Sequence, residues 1–158
     1  MDSDCLVKLT KAGAKEAIVS AMEVHITPLV KRETVDEAKE GGHQDAFTIE
    51  KNIGKKALHV TELDSGELSA MSAIKGEDSV ASLYMEGNYD AVASDDRRFL
   101  KRLEAANIPY LTPTACLIYL HINERVEKST ALEMLESLKP LISREEYAVA
   151  KLYMGEKA

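Results

Sequence analysis

The chain has 158 residues, of which 45% are hydrophobic and 30% are charged, and its formal net charge is -7. This length and composition are typical of one globular domain. No apolar run approaches the roughly 20 residues that are needed to cross a bilayer. The acidic balance excludes a simple basic nucleic-acid-binding module. It does not exclude a metal-dependent enzyme, because the carboxylates of such a site add negative charge themselves.

The amino-terminal residues Met-Asp-Ser-Asp are acidic and lack an apolar core, so we expect no secretory signal. Cys5 and Cys116 are the two cysteines, and both stand in apolar stretches of the sequence. We interpret them as buried thiols in a reducing compartment. The sequence therefore predicts a cytoplasmic protein without a membrane attachment.

Helical periodicity and turn residues predict helices that alternate with short strands. The predicted strands cover 24–27, 57–61, 91–93 and 108–111. The predicted helices cover 8–22, 29–39, 43–53, 76–86, 97–107, 114–124, 129–138 and 143–154. One more short helix is expected within 62–75, where residues 64–67 resemble a turn that leads into a cap. This alternation predicts an α/β fold whose parallel sheet is covered by helices on both faces.

Acidic residues stand where loops and predicted strands lead into helices. They are Asp2, Asp4, Glu33, Glu77, Asp78, Asp95 and Asp96. Because the carboxyl ends of parallel strands meet at one edge of a sheet, we expect these carboxylates to lie together. Carboxylate oxygens are the ligands that Mg²⁺ and Mn²⁺ prefer, and such ions promote phosphoryl chemistry. Each residue alone is also an ordinary helix cap or first-turn residue, so the prediction depends on the whole set.

Four segments resemble, in order, the motifs of the PIN-domain family. The family patterns are a D-T-S-V-L-I-like run, I-P-x-x-V-x-x-E, G-E-x-x-A and T-N-D-R-x-F. The corresponding segments are DSDCLV at 2–7, ITPLVKRE at 26–33, GEDSVA at 76–81 and AVASDDRRF at 91–99. The resemblance covers about residues 2–120, since 108–113 is similar to the last strand of the family.

The resemblance implies a three-layer α/β/α sandwich with a central parallel sheet of four to five strands. It places a nuclease domain at 1–125 and leaves 126–158 as a helical extension packed on the same domain. It also implies a ribonuclease that depends on Mg²⁺ or Mn²⁺ and cuts single-stranded RNA. Many relatives are toxins of toxin–antitoxin pairs and often dimeric, so a homodimer and an antitoxin protein are the expected partners.

The resemblance also implies roles for individual residues. The four expected catalytic acids, which would also hold the metal, are Asp2, Glu33, Glu77 and Asp96. Further candidate metal ligands are Asp4, Asp78 and Asp95. Candidate contacts to the RNA backbone are Ser94, Arg97 and Arg98.

The start of the chain departs from the family pattern, because only Met1 precedes Asp2. Either the start is truncated or the first strand begins at Asp2 itself. In a strand, residues two apart point the same way, so Asp4 would then face the site together with Asp2.

Two other functions are compatible with these residues. In a haloacid-dehalogenase-like phosphohydrolase, Asp2 would be the nucleophile, Asp4 the general acid/base and Lys75 the phosphate ligand. That family has a flap hairpin soon after its first motif, whereas 8–22 is predicted to be helical, so we favour the nuclease. The second alternative is a non-catalytic binding module with the same fold.

Overall fold

A computed structural model describes residues 1–63 and 76–155 of the chain. Its α-helices are Ser3–Lys11 (α1), Lys15–Ala21 (α2), Pro28–Lys31 (α3), Ala38–Glu40 (α4), Gln44–Gly54 (α5), Gly76–Glu86 (α6), Arg97–Ala105 (α7), Pro113–Ile122 (α8), Lys128–Leu138 (α9) and Arg144–Tyr153 (α10). Its strands are His25–Ile26 (β1), His59–Val60 (β2), Val92–Ala93 (β3) and Tyr110–Leu111 (β4). A π-helix, Arg32–Glu37, joins α3 to α4, and a 3₁₀-helix, Lys139–Leu141, follows α9.

Side-chain caps explain where several helices begin. Thr27 accepts a hydrogen bond from Val30 N and stands before the proline that opens α3. The side chain of Thr112 caps α8 in the same way, and the first residue of α8 is also a proline. Ser143 and Glu146 form a capping box at the start of α10. Each cap satisfies an amide that the first helical turn would otherwise leave without a partner, so these starts are encoded locally.

The predicted helix over 8–22 is wrong at its start and in its continuity. The carboxylate of Asp2 accepts a hydrogen bond from Cys5 N, so α1 begins at Ser3. Gly13 has φ +70°, a left-handed conformation that ends a helix. It separates α1 from α2. The short helix predicted within 62–75, and the turn at 64–67, lie largely outside the described residues.

All four predicted strands are present, but each has two residues. β1 pairs with β2 in parallel, with His25 opposite His59, and β3 pairs with β4 in parallel, with Val92 opposite Tyr110. In the described parts of the chain these pairs form two separate sheets. The expectation of one central sheet of four to five strands is therefore not met. The expectation of an α/β fold with parallel strands is met.

The amino-terminal residues lie between the two sheets. Met1 N donates a hydrogen bond to His25 O at 2.8 Å, and Asp2 N donates one to Ala93 O at 2.9 Å. Because α1 begins at Ser3, only two residues bridge β1 and β3. The alternative in which a strand begins at Asp2 is therefore wrong, because Asp2 is the N-cap of α1.

Helices bury their apolar faces in one continuous core. Leu6 and Leu9 of α1, Phe99 of α7 and Leu117 of α8 are almost fully buried. The helices predicted beyond residue 126 are present as α9 and α10, and both pack against α8. Among the described residues, no helix combines the length and the apolar composition needed to cross a membrane.

Candidate active site

Four segments meet beyond the carboxyl ends of β1 and β3. They are the residues that open α1, the π-helix after β1, the first turn of α6 and the loop between β3 and α7. Each carries one of the four expected catalytic acids, namely Asp2, Glu33, Glu77 and Asp96. Hydrogen bonds and close contacts link all four segments, as follows.

Asp2 is the most buried of the four acids, with 3% of its surface exposed. Its carboxylate accepts a hydrogen bond from Cys5 N at 2.9 Å and is hydrogen-bonded to the hydroxyl of Ser94. Burial raises the pKa of Asp2 to about 6, and the two hydrogen bonds oppose that rise. A cation beside Asp2 would relieve the cost of holding its charged form out of water.

Glu33 lies in the π-helix and is held from two sides. The hydroxyl of Ser3 donates a hydrogen bond to Glu33 Oε2. On the other side, a Cβ atom on Gly76 would come within 2.8 Å of the same oxygen. Glycine at position 76 is therefore what lets the start of α6 approach this carboxylate. π-helical turns are rare and occur often at functional sites.

Asp96 is the N-cap of α7. Its Oδ1 accepts hydrogen bonds from Arg98 N and Phe99 N, both at 2.8 Å. Its own N–H donates to Ser94 Oγ at 3.2 Å. The fully buried Ser94 thus links Asp96 to Asp2, and the cap of α7 is Asp96 rather than Ser94.

Asp4 and Asp95 share a different partner, Lys8. The ammonium of Lys8 lies 2.8 Å from Asp4 Oδ2 and also contacts Asp95 Oδ2. Partial burial raises the pKa of Asp95, and Lys8 opposes the rise. Burial lowers the pKa of Lys8, but its hydrogen bonds to the two carboxylates outweigh this and raise it overall. Asp4 is helical, so its expected strand-like alignment with Asp2 is wrong.

Asp78 and Glu77 differ in their surroundings. Asp78 Oδ1 lies 2.6 Å from Arg102 Nη2, in an exposed ion pair that joins α6 to α7. Glu77 follows Gly76 directly in the first turn of α6. This first turn is the part of α6 that lies close to Glu33. Arg97 and Arg98 are exposed at the start of α7. They therefore flank the edge without blocking it.

The donor chemistry at this edge suits a hard divalent cation. Asp2, Glu33 and Asp96 supply carboxylate oxygens, and Ser3 and Ser94 supply hydroxyl oxygens, which are the groups that Mg²⁺ and Mn²⁺ bind in proteins. In residues 1–63 and 76–155, no three His, Cys, Asp or Glu side chains are arranged as a metal-binding group.

Sequence reasoning missed three residues that organise this region. Lys8 is four residues from Asp4, a helical spacing that could have revealed that pair, but Asp95 is 87 positions away. Arg102 pairs with Asp78 only through the packing of α6 against α7, which no local sequence pattern encodes. The steric role of Gly76 toward Glu33 has no sequence signal beyond the Gly-Glu motif.

The chain matches a known protein family. A family model described as a PIN domain matches residues 1–152, which include all four segments at the edge. Comparisons with curated proteins and with solved structures gave no match. PIN domains are generally nucleases and usually use divalent metals. The chain belongs to the PIN-domain family.

Proposed function

We propose that the protein is an endoribonuclease that depends on Mg²⁺ or Mn²⁺ and hydrolyses phosphodiester bonds of single-stranded RNA. The observation that carries this proposal is the set of contacts that join the four acid-bearing segments at one edge of the fold. Ser94 links Asp2 to Asp96, and Ser3 fixes Glu33 from the residue next to Asp2. Membership of a family of metal-dependent nucleases supports the same conclusion.

In this proposal the four acids Asp2, Glu33, Glu77 and Asp96 hold the metal. A bound divalent ion lowers the pKa of water and offsets the charge that builds up on the phosphate. Ser3 and Ser94 orient the carboxylates that they contact. The buried position of Asp2 excludes bulk water from one side of the site, which strengthens its interaction with a cation.

The remaining acids would take a supporting part. Asp4 and Asp95 are paired with Lys8, and Asp78 is paired with Arg102, so each would have to leave its partner to bind a metal directly. We therefore assign these three acids to the surroundings of the site rather than to the set that binds the metal.

The substrate side of the proposal rests on α7. Arg97 and Arg98 are exposed beside Asp96, where their guanidinium groups can contact backbone phosphates. Ser94 is fully buried, so its part is to hold Asp2 and Asp96 rather than to touch RNA. We therefore assign RNA contacts to the two arginines.

Cleavage of single-stranded RNA in the presence of Mn²⁺, compared with Asp96→Asn, tests the proposal. Asparagine caps helices as well as aspartate does, so the variant should fold normally. We expect it to lose roughly 100-fold in rate, the scale seen when one group that stabilises a transition state is removed. Equal rates for the two proteins would contradict the site assignment, and rates unaffected by chelation would contradict the metal dependence.

We also propose a biological role and a domain organisation for the protein. A cytoplasmic toxin of a toxin–antitoxin pair, acting as a homodimer and held inactive by an antitoxin protein, agrees with the family. We further propose that 1–125 forms the nuclease domain and that α9 and α10 extend it. Growth arrest on expression of the wild type but not of Asp96→Asn would support the toxin role.

The phosphohydrolase alternative is less favoured. It requires Asp4 as a general acid/base, whereas Asp4 is paired with Lys8 in α1. Lys75, its expected phosphate ligand, lies outside the described residues. The non-catalytic alternative would be favoured if crystals soaked in Mn²⁺ showed no metal among Asp2, Glu33, Glu77 and Asp96.

A further inference from the structure

A largely buried ion pair joins α1 to the loop between β3 and α7. Its members are Lys8, in the last turn of α1, and Asp95, in the middle of the loop. The side chain of Lys8 is 19% exposed and that of Asp95 is 9% exposed. Water and salt screen such a pair less than they screen a pair at the surface, so this contact can hold the two segments together.

The charge on Asp95 depends on Lys8. Partial burial and two nearby carboxylates, those of Glu146 and Asp4, oppose the charged form of Asp95 and raise its pKa. Lys8 opposes this rise with a hydrogen bond and a positive charge. Without the ammonium, a half-buried carboxylate would be left beside two others, which is costly. We expect it to turn toward water and to move the backbone of the loop with it.

The residues on either side of Asp95 both belong to the candidate active site. Ser94 is hydrogen-bonded to the carboxylate of Asp2, and the N–H of Asp96 donates to Ser94 Oγ at 3.2 Å. Asp2 is the N-cap of α1, so the amino-terminal end of this helix already contacts the loop. Lys8 adds a contact from the last turn of the same helix. Two contacts from one helix fix the direction of the loop, whereas one contact would let it pivot.

We propose that Lys8 is a positioning residue of the ribonuclease site. Its contact with Asp95 fixes the loop, and the loop sets where the carboxylate of Asp96 lies relative to that of Asp2. This role needs no contact of Lys8 with the metal or with RNA. The inference rests on the proposed metal-dependent cleavage of RNA, because it assigns Lys8 a part in that reaction.

The direction of the effect on metal binding separates positioning from charge. Lys8 is a cation at the margin of a group of carboxylates, so its charge by itself opposes the binding of a divalent ion. If charge were its only influence, removal of the ammonium would strengthen Mn²⁺ binding. If Lys8 positions the loop, its removal displaces a metal ligand and weakens Mn²⁺ binding. Loss of a residue that orients a ligand typically weakens metal binding about tenfold or more.

The test compares Lys8→Met with the wild type by calorimetric titration with Mn²⁺ and by RNA cleavage at increasing Mn²⁺ concentrations. We expect about tenfold weaker Mn²⁺ binding and a correspondingly higher Mn²⁺ concentration for the half-maximal rate. The KM for RNA at saturating Mn²⁺ should be unchanged. Lys8→Arg should restore most of the affinity, because a guanidinium group can bond both carboxylates. Lys11→Met is the matched control, since Lys11 is an exposed lysine in the same turn of α1, and it should cause no loss.

Asp95→Ala tests whether Lys8 acts through Asp95. This variant should weaken Mn²⁺ binding to a similar extent. The double variant Lys8→Met with Asp95→Ala should bind Mn²⁺ no more weakly than either single variant, because the two side chains act as one unit. Losses that add in the double variant would overturn the proposal.

Three other outcomes would overturn the proposal. The first is Mn²⁺ binding that is unchanged or stronger in Lys8→Met, even if the free energy of unfolding falls, since Lys8 would then have a structural role alone. The second is a raised KM for RNA with an unchanged dependence on Mn²⁺, which would mean that Lys8 contacts the substrate. The third is a wild type that cleaves no RNA at any Mn²⁺ concentration, which would contradict the proposed function and this inference with it.

Discussion

The hydroxyl of Ser3 donates a hydrogen bond to the carboxylate of Glu33, which lies 30 positions away in the chain. Ser3 is the first residue of α1 and follows Asp2 directly, so this bond couples the position of one candidate metal ligand to that of another. A Cβ atom on Gly76 would lie only 2.8 Å from the same carboxylate, so this approach requires glycine at position 76. The geometry of the edge therefore depends on small residues that carry no charge.

Ser3→Ala should reduce RNA cleavage about tenfold, because Glu33 loses the donor that orients it. Ser3→Thr keeps the hydroxyl and should retain most of the activity. The measurement is the single-turnover rate with Mn²⁺. Ser137→Ala removes a hydroxyl from the exposed face of α9 and is the matched control. Similar losses in Ser3→Ala and Ser137→Ala would show that the Ser3–Glu33 bond has no part in catalysis.

Gly76→Ala should displace Glu33, since the new methyl group would lie 2.8 Å from its Oε2. The carboxylate is the end of a flexible side chain, so we expect a lower affinity for Mn²⁺ with little change in the free energy of unfolding. Calorimetric titration with Mn²⁺ measures the affinity for the ion, and urea denaturation measures the free energy of unfolding. Gly54→Ala is the control, because no atom lies within 4 Å of its added Cβ. Unchanged Mn²⁺ affinity in Gly76→Ala would contradict a role for Glu33 as a ligand.

The pKa of Asp2, raised by burial to about 6, predicts how stability depends on pH in the absence of metal. Protonated Asp2 is favoured in the folded state, so its contribution is full below the ordinary pKa of 3.8 and is lost as the pH rises through 6. The loss at pH 7 amounts to about 3 kcal/mol. Asp2→Asn should therefore gain stability relative to the wild type between pH 4 and pH 7.

Urea denaturation at several pH values, with a chelator present, measures this difference. Asp36→Asn changes an exposed acid and serves as the control. A difference between Asp2→Asn and the wild type that stays constant from pH 4 to pH 7 would show that Asp2 has no raised pKa.

The cap of α7 allows folding and catalysis to be separated at one position. Asp96→Ala removes the acceptor of two backbone amides and should lower the free energy of unfolding by about 1 kcal/mol. Asp96→Asn should leave the free energy of unfolding nearly unchanged, yet both variants should lose roughly 100-fold in the rate of RNA cleavage. Thermal unfolding beside the RNA assay tests this. An active Asp96→Asn would leave capping as the only role of this residue.

The local features of the fold could be read from the sequence. Val24, Ile26 and Thr27 are β-branched residues just before Pro28, and strand β1 lies within this stretch. The pairing of the strands could not be predicted, because it joins segments that no local sequence pattern connects, such as β1 and β2 on either side of α5. Secondary structure is set over short distances, whereas sheet assembly needs contacts between remote parts of the chain.

The same division applies to the candidate site. The order of the motifs selected Asp2, Glu33, Glu77 and Asp96 as the expected catalytic acids and left Asp4 and Asp95 as further candidate ligands. It could not predict the ion pairs of Asp4 and Asp95, since only the folded chain brings Lys8 to both. Charge pairing over a separation of 87 residues leaves no local pattern in the sequence.

The π-helix at Arg32–Glu37 makes the number of residues between Thr27 and Gly41 as important as their identity. Its turn is wider than that of an α-helix, so one residue fewer would allow α3 and α4 to join in a regular helix. Such a deletion would leave α4 nearly in register with α3, because the π turn already accommodates one extra residue, but it would reorient the side chains within the π turn. Glu33, which lies in that turn, would then leave its place. Homologous sequences that keep the carboxylate in register should therefore tolerate substitutions in this stretch far better than insertions or deletions.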